Sequence, residues 1–343
     1  MVFSQLKLAT DYFSVEAKIG EGSTGEVFKG VLGGVPIAVK RLKLAEGATS
    51  LARDELQRRF RAEFETLSRY QHSRLVGLLG WAEDEDPNSL YPFALVCELL
   101  EGGSLADRLA APNGELPLNY GGPLSSLARV DIALGAAAGL RFLHGLREPG
   151  DSVDAPLQAA LHRDVKSANV GLGAEPAGGG SPYAKILDCG LTKAVGGGSG
   201  GGGAAAAAAG ASFTGGLVAG TAGYMASEVA NGRYTVQSEV YSFGVLLLEL
   251  FTGKRVGPLT AMEARESAED DGLDAVVALG EADVWPLPAA QELAALVVQC
   301  LQTREKKRPP GMSAVVAKLQ DVRARVSVAA AALVPCCVCL EDV

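Results

Sequence analysis

The run Gly20-Glu21-Gly22-Ser23-Thr24-Gly25-Glu26-Val27 reads G-x-G-x-x-G-x-V, which leaves the backbone without a side chain at three points. Backbone that carries no Cβ can lie against phosphate oxygens and turn its N–H groups toward them. The same residues also fit a plain hairpin turn, and both readings stand at this point. A dinucleotide-binding loop fits less well, because it wants a helix directly afterwards and an acid about twenty residues on. Here a further strand follows, ending in Ala38-Val39-Lys40. At the far end Cys336 and Cys339, with Cys337 between them, make C-x-x-C, the spacing of half a zinc site. No further ligands follow before Val343, so within this chain a reactive cysteine tail without metal is the better reading.

Elements that could aim such residues are visible in the hydrophobic pattern. Val35, Ile37 and Val39 alternate with Pro36, Ala38 and Lys40, so Ala38 and Lys40 share one face of a strand. Between residues 56 and 69, Phe60, Phe64 and Leu67 recur at helical spacing and place Glu63 beside the inward stripe. A Lys and a Glu thus point into one space. After Glu101-Gly102-Gly103-Ser104 the patterns lengthen to helices over 124–143 and 241–251. The expected fold is α+β and bilobal: a small β-rich lobe with one helix, a short hinge, and a larger helical lobe. Residues 196–211, GGGSGGGGAAAAAAGA, can form neither alternation nor an amphipathic face, and are expected to be a flexible insertion. Residues 147–156 and the acidic run 263–274 read as two further soft segments, and no tandem repeat is visible.

Composition narrows the classes. Against 31 Lys plus Arg stand 40 Asp plus Glu, a net charge of −9, so no dominating basic surface for nucleic acid is expected. Hydrophobic residues make up 48%, enough for the cores of two domains or lobes in 343 residues, and this excludes disorder of the whole chain. With 43 Gly but only 6% aromatics, part of the length is low-complexity filler. Six cysteines, three isolated and three crowded at the end, do not make a disulfide framework. No leader or membrane-spanning stretch is read from the sequence, so a cytoplasmic chain, or the cytosolic part of a longer protein, is expected.

Two more motifs make the order specific: Leu161-His162-Arg163-Asp164-Val165-Lys166-Ser167-Ala168-Asn169, then Ile186-Leu187-Asp188-Cys189-Gly190. Gly loop, Lys40, helical Glu63, H-R-D-x-K-x-x-N and D-x-G in this order resemble the eukaryotic protein kinase family over almost the whole chain. The run Gly220-Thr221-Ala222-Gly223-Tyr224-Met225-Ala226-Ser227-Glu228 looks most like the plant receptor-like, Pelle and interleukin-receptor-associated branch. Val240-Tyr241-Ser242-Phe243-Gly244-Val245 and the opening Leu8-Ala9-Thr10-Asp11-Tyr12-Phe13-Ser14 look the same. The cysteine tail looks like the opening of a RING finger, implying a zinc module in a longer product and contact with ubiquitin machinery.

The resemblance implies an ATP- and Mg²⁺-dependent Ser/Thr protein kinase acting on a protein substrate, with a pseudokinase or nucleotide-binding scaffold as the alternative. Phosphoryl transfer is mostly positioning and charge neutralisation. By resemblance, Lys40 would hold the α and β phosphates and Glu63 would fix Lys40. Asp188 and Asn169 would ligate Mg²⁺, Asp164 would orient the acceptor hydroxyl and take its proton, and Lys166 would balance charge at the γ phosphate. Ile19, Gly20, Glu21, Gly22, Ser23, Thr24 and Gly25 would form the nucleotide loop, Val27 and Ala38 would cover the adenine, and Glu98 and Leu100 would offer backbone hydrogen bonds. Lys166 and Thr221 point to Ser or Thr as acceptor. Arg163 implies ordering of the activation loop by phosphorylation, with Ser199, Ser212 and Thr214 as candidates.

By the same resemblance the chain divides into an extension at 1–13, a kinase domain at 14–327 and a tail at 328–343. Within the domain the small lobe is 14–97, the hinge 98–101 and the large lobe 102–327. Four residues depart from the family. Cys189 stands where Phe is usual, which implies a weaker active assembly. Gly171 stands where an apolar side chain floors the adenine, Ser227 replaces Pro, and Glu239 replaces the Asp that steadies the catalytic loop.

Overall fold

The computed structural model describes residues 1–22, 25–110, 123–146, 158–176, 180–195, 212–214, 218–257, 259–281 and 283–332. The chain forms two compact units, one of residues 1–101 with 186–192 and one of residues 102–185 with 193–343. Outside the described residues lie Ser23, Thr24, Ser199, the expected insertion at 196–211, the soft segment at 147–156, and the cysteines of the tail.

The first unit is built on an antiparallel sheet of five strands in the order β1-β2-β3-β5-β4. These are β1 (Lys18–Gly22), β2 (Gly25–Leu32), β3 (Val35–Leu42), β4 (Leu78–Glu83) and β5 (Phe93–Glu98). The alternation expected in β3 sorts its two faces. Ile37 and Val39 are buried with Ala82, Ala94 and Val96 of the neighbouring strands and with Phe3 and Leu6 of helix α1 (Phe3–Ala9). Lys40 lies on the opposite face, paired with Val27 of β2 on one side and Leu95 of β5 on the other.

Residues 1–13, expected as an extension, pack as part of this unit. Gly30 of β2 permits the crossing, since a Cβ there would stand 2.4 Å from the Ala9 carbonyl oxygen. The Met1 ammonium donates to the Trp81 carbonyl at 3.2 Å, and the Arg41 guanidinium lies 4.0 Å over the Phe13 ring and 3.9 Å over Tyr91.

Helix α2 (Ser50–Arg69) starts earlier than the expected 56–69, because the Thr49 hydroxyl accepts from the Ala52 N–H and caps the first turn. Leu56, Phe60, Glu63 and Leu67 are its buried stripe. Leu56, Phe60 and Leu67 join Leu42, Phe93, Leu95 and Cys189 in one core, and truncating such a leucine costs about 2–5 kcal/mol.

The second unit is mainly helical: α3 (Leu105–Ala110), α4 (Ser126–Leu143), α5 (Val236–Thr252), α6 (Thr260–Asp270), α7 (Leu273–Val277), α8 (Leu287–Cys300) and α9 (Met312–Ala332). Short antiparallel pairs join β6 (Ala160–Leu161) to β9 (Lys193–Ala194) and β10 (Ser212–Thr214) to β11 (Arg233–Thr235). β7 (Val170–Leu172) pairs with β8 (Ala184–Ile186).

Helix α5 is apolar nearly all round, the pattern of a fully buried helix. Thr235 and Ser238 cap its start reciprocally, and Gly253 at φ 67° ends it in the left-handed conformation. The acidic run at 263–274 is not a soft segment. It forms most of α6 and the start of α7, because Ala261, Ala264 and Val276 bury small apolar contacts among the charges. Helix α9 runs past the expected boundary at 327 to Ala332.

Candidate active site

In the first unit, β3 delivers Lys40 and α2 delivers Glu63 to a common point. Lys40 Nζ donates to Glu63 Oε1 and to Asp188 Oδ1, each at 2.7 Å. Burial works against the ammonium, but Glu63 and Asp188 outweigh it and hold the Lys40 pKa above its ordinary value. Glu63 is pushed up, chiefly by burial, against the pull of Lys40. Asp188 adopts the left-handed backbone conformation at φ 52°, which turns its carboxylate toward Lys40 and lets Oδ1 accept from the Gly190 N–H at 3.3 Å.

The glycine loop is a β1–β2 hairpin, and its glycines differ in why they are needed. A Cβ on Gly25 would stand 1.9 Å from the Arg41 carbonyl oxygen, so packing against β3 demands that glycine. Gly22 has nothing within 4 Å of the position a Cβ would take, and Gly20 meets only Val27 at 3.8 Å. Protein packing does not call for glycine there, and the bare backbone suits an outside group that must approach closely. Ile19 and Glu21 are exposed beside them; Val27 and Ala38 are half-buried. The Glu98 N–H donates to the Gly77 carbonyl, and its carboxylate accepts from the Gly77 N–H at 2.6 Å. Any hydrogen bond from Glu98 to a purine therefore falls to its carbonyl. Leu100 is buried.

In the second unit, the loop between β6 and β7 carries the other polar groups. Asp164 is nearly buried and its carboxylate is held from several sides: Thr221 Oγ1 donates to Oδ1 at 2.6 Å, and Lys166 Nζ to Oδ2 at 2.7 Å. Lys166 also donates to Thr221 Oγ1 at 2.7 Å, closing the triangle. Asn169 spends its amide NH₂ on the Asp164 carbonyl at 2.8 Å and on Asp164 Oδ2 at 3.1 Å, which leaves Oδ1 as its acceptor atom. That orientation leaves a hard oxygen of the kind Mg²⁺ prefers. In the first unit, the Asp188 carboxylate is part-exposed.

The four departures resolve individually. Cys189, in the turn Cys189–Leu191, is 2% exposed inside the α2 core, and the Lys40–Glu63 contact forms beside this small side chain. Leu172, next to Gly171, is wholly buried, and β7 is held by its N–H to the Gly103 carbonyl at 2.8 Å. Glu228, after Ser227, is gripped by Arg308 through both carboxylate oxygens, at 2.5 and 3.1 Å. Glu239 accepts from the Arg163 backbone N–H at 2.5 Å with one oxygen and contacts His144 Nε2 at 2.7 Å with the other. It thereby holds Arg163 in the left-handed conformation at φ 71°, one residue before Asp164.

Sequence reasoning missed the supporting groups. His144 lies outside every motif, and nothing in its neighbours marks it as the second partner of Glu239. Tyr224 carries no signal of its own within the run 220–228; its hydroxyl donates to the buried Glu249 at 2.7 Å and lies 3.2 Å from Ser167 Oγ. Burial pushes the pKa of both Tyr224 and Glu249 up. Thr235 could have been read as a helix cap from Thr235-Val236-Gln237-Ser238.

The description "Protein kinase domain" matches residues 13–319. A probable receptor-like protein kinase of Arabidopsis thaliana is 34% identical over 332 residues, 93% of this chain and 80% of the relative. A PTI1-like tyrosine-protein kinase of Arabidopsis thaliana is 33% identical over 330 residues, again 93% and 80%. A probable serine/threonine-protein kinase from the same plant is 33% identical over 341 residues, 93% of this chain and 69% of the relative. The family match ends before Cys336, so it lends no support to a RING finger beginning there. Among the described residues no helix is long and apolar enough to cross a membrane. With its β-sheet unit, its helical unit and its ordered polar groups, the chain belongs to the protein kinase family.

Proposed function

We propose that the chain transfers the γ phosphate of ATP to Ser and Thr hydroxyls of protein substrates, with Mg²⁺. The observation that carries this reading is the closed contact of Asp164, Lys166 and Thr221, which aims one buried carboxylate and one ammonium from the same loop. Asp164, oriented by these donors, positions the acceptor hydroxyl and takes its proton. Lys166 balances charge on the transferred group, and Lys40, kept protonated by its two carboxylates, binds the α and β phosphates. Gly20, Gly22 and Gly25 line the triphosphate, with Ser23 and Thr24 between them, while Ile19, Val27, Ala38, Glu98 and Leu100 hold the base. Asn169 and Asp188 hold Mg²⁺, which when bound neutralises phosphate charge that repels the nucleophile. Every charged group of the set is present, which favours an enzyme over a nucleotide-binding scaffold.

The reading carries with it a cytosolic setting and the boundaries proposed above for the kinase domain. A link to ubiquitin machinery belongs to a longer product and rests on the Cys336–Cys339 spacing. The test is radiolabel transfer from ATP to a protein acceptor by the purified chain beside Asp164→Asn, followed by phosphoamino acid analysis. Label on Ser or Thr that disappears in the variant is expected. Equal label in both proteins, label on Tyr, or nucleotide binding without transfer would each refute the reading.

A further inference from the structure

The phenol of Tyr234 sits at a junction that no catalytic role explains. Tyr234 is 2% exposed in β11, and its hydroxyl accepts from the Ala219 N–H at 2.6 Å while donating to the Ala219 carbonyl at 2.8 Å. One side chain thus satisfies both backbone groups of a residue that lies in no helix or strand. The face of the same ring lies 4.3 Å under the Arg163 guanidinium. Two residues beyond Ala219 is Thr221, which bonds Asp164 Oδ1; one residue beyond Arg163 is Asp164 itself.

The two strands of chain that meet at Asp164 are also in direct backbone contact. Gly220, at φ 131°, approaches so closely that a Cβ on it would stand 2.9 Å from the Arg163 carbonyl oxygen. A segment that must lie this close with no side chain between has little intrinsic reason to stay, and Tyr234 ties it down at Ala219. Packing of Tyr234 with Val229 and Val236 fixes the ring that does the tying.

We infer that Tyr234 is a positioning residue for phosphoryl transfer, clamping Ala219 so that Thr221 stays on Asp164 while its ring supports Arg163 on the other approach. The inference rests on the kinase reading for its catalytic consequence, but the clamp itself exists whether or not the chain transfers phosphate. Tyr234→Phe separates the parts, since it keeps the ring under Arg163 and removes only the hydroxyl.

Hydrogen exchange resolved by peptide, on the whole chain, reads the clamp. Exchange across residues 218–224 rises in Tyr234→Phe, whereas exchange in α4 and α5 stays at the wild-type rate. Steady-state kinetics with casein as acceptor reads the consequence: kcat falls by about fivefold to 150-fold, the range expected for a pair of neutral hydrogen bonds, while the KM for ATP is unchanged. A role in stability alone would raise exchange throughout the unit and leave kcat per folded molecule unaltered. Unchanged exchange at 218–224 would overturn the clamp, and raised exchange with unchanged kcat would overturn the positioning role. Absence of transfer by the wild-type chain would instead refute the kinase reading, with the exchange result still deciding whether Tyr234 holds Ala219.

Discussion

Replacing Glu239 by Asp restores the residue usual in the family and is expected to weaken this protein. The Glu239 carboxylate is 3% exposed and has two partners, the Arg163 N–H at 2.5 Å and His144 Nε2 at 2.7 Å. Asp is shorter by one carbon–carbon link, about 1.5 Å. A hydrogen bond tolerates only about 0.5 Å of stretch before its geometry is lost, so the shorter carboxylate cannot keep both. One buried donor is left unsatisfied, at about 1–3 kcal/mol. Glu239→Ala strands both partners and is expected to cost about 3–5 kcal/mol, the range for breaking one side of a buried polar pair. Urea unfolding with the slope held constant measures the difference, and kcat locates it. If Asp keeps Arg163 and abandons His144, stability falls and kcat survives; if it keeps His144, both fall. An Asp variant within about 0.5 kcal/mol of wild type, the scatter of neutral substitutions, would refute the claim that the longer side chain is matched to His144.

Two further outcomes follow from burial. Arg308→Ala should destabilise by about 3–5 kcal/mol, because Glu228 loses a two-pronged partner in a buried setting, and Glu228→Ala in the same background should recover part of the loss; additive costs in the double-mutant cycle would contradict it. Burial pushes the thiols of Cys97, Cys189 and Cys300 up to about 12 from 9.0, so none should be alkylated by iodoacetamide in the native protein at pH 8. Because the folded values lie above the unfolded ones, stability contributed by these thiols is intact below about pH 9 and drains away as the unfolded chain ionises between 9 and 12. Rising stability across that alkaline range on replacing all three with Ala, relative to wild type, checks the sign.

What the sequence made legible was whatever a short period or a fixed order encodes. Alternation in β3 put Lys40 opposite the Ile37 and Val39 face, and helical spacing put Glu63 on the buried stripe of α2; the structure joins them at 2.7 Å. Asp164, Lys166 and Asn169 were legible because they fall within one loop. The partners of that loop were not, since Thr221 lies 57 positions from Asp164 and Glu239 lies 95 from His144, and no local rule couples such separations. The acidic run at 263–274 misled for a different reason. Its helical content depends on two alanines, whose weak hydrophobic signal is outweighed in the sequence by the surrounding charges, although both are 1% exposed in the fold. Gly22 and Gly25 look identical in the pattern, and only the packing of β3 shows that Gly25 answers to the protein while no neighbouring side chain or backbone calls for Gly22.

Helix α1 sets where this protein can be cut. The family match begins at residue 13, but the face of the sheet behind Lys40 is roofed by Phe3 and Leu6. A version trimmed to the matched boundary would retain every motif and still bare Ile37, Val39, Ala94 and Val96, a contiguous oily patch on β5 and on β3, the strand that carries Lys40. Such a product would be prone to self-association for reasons unrelated to its chemistry, and a tag fused close to Met1 would press on the same roof. The working limit of the catalytic unit is therefore mechanical, and lies upstream of the one that sequence similarity draws.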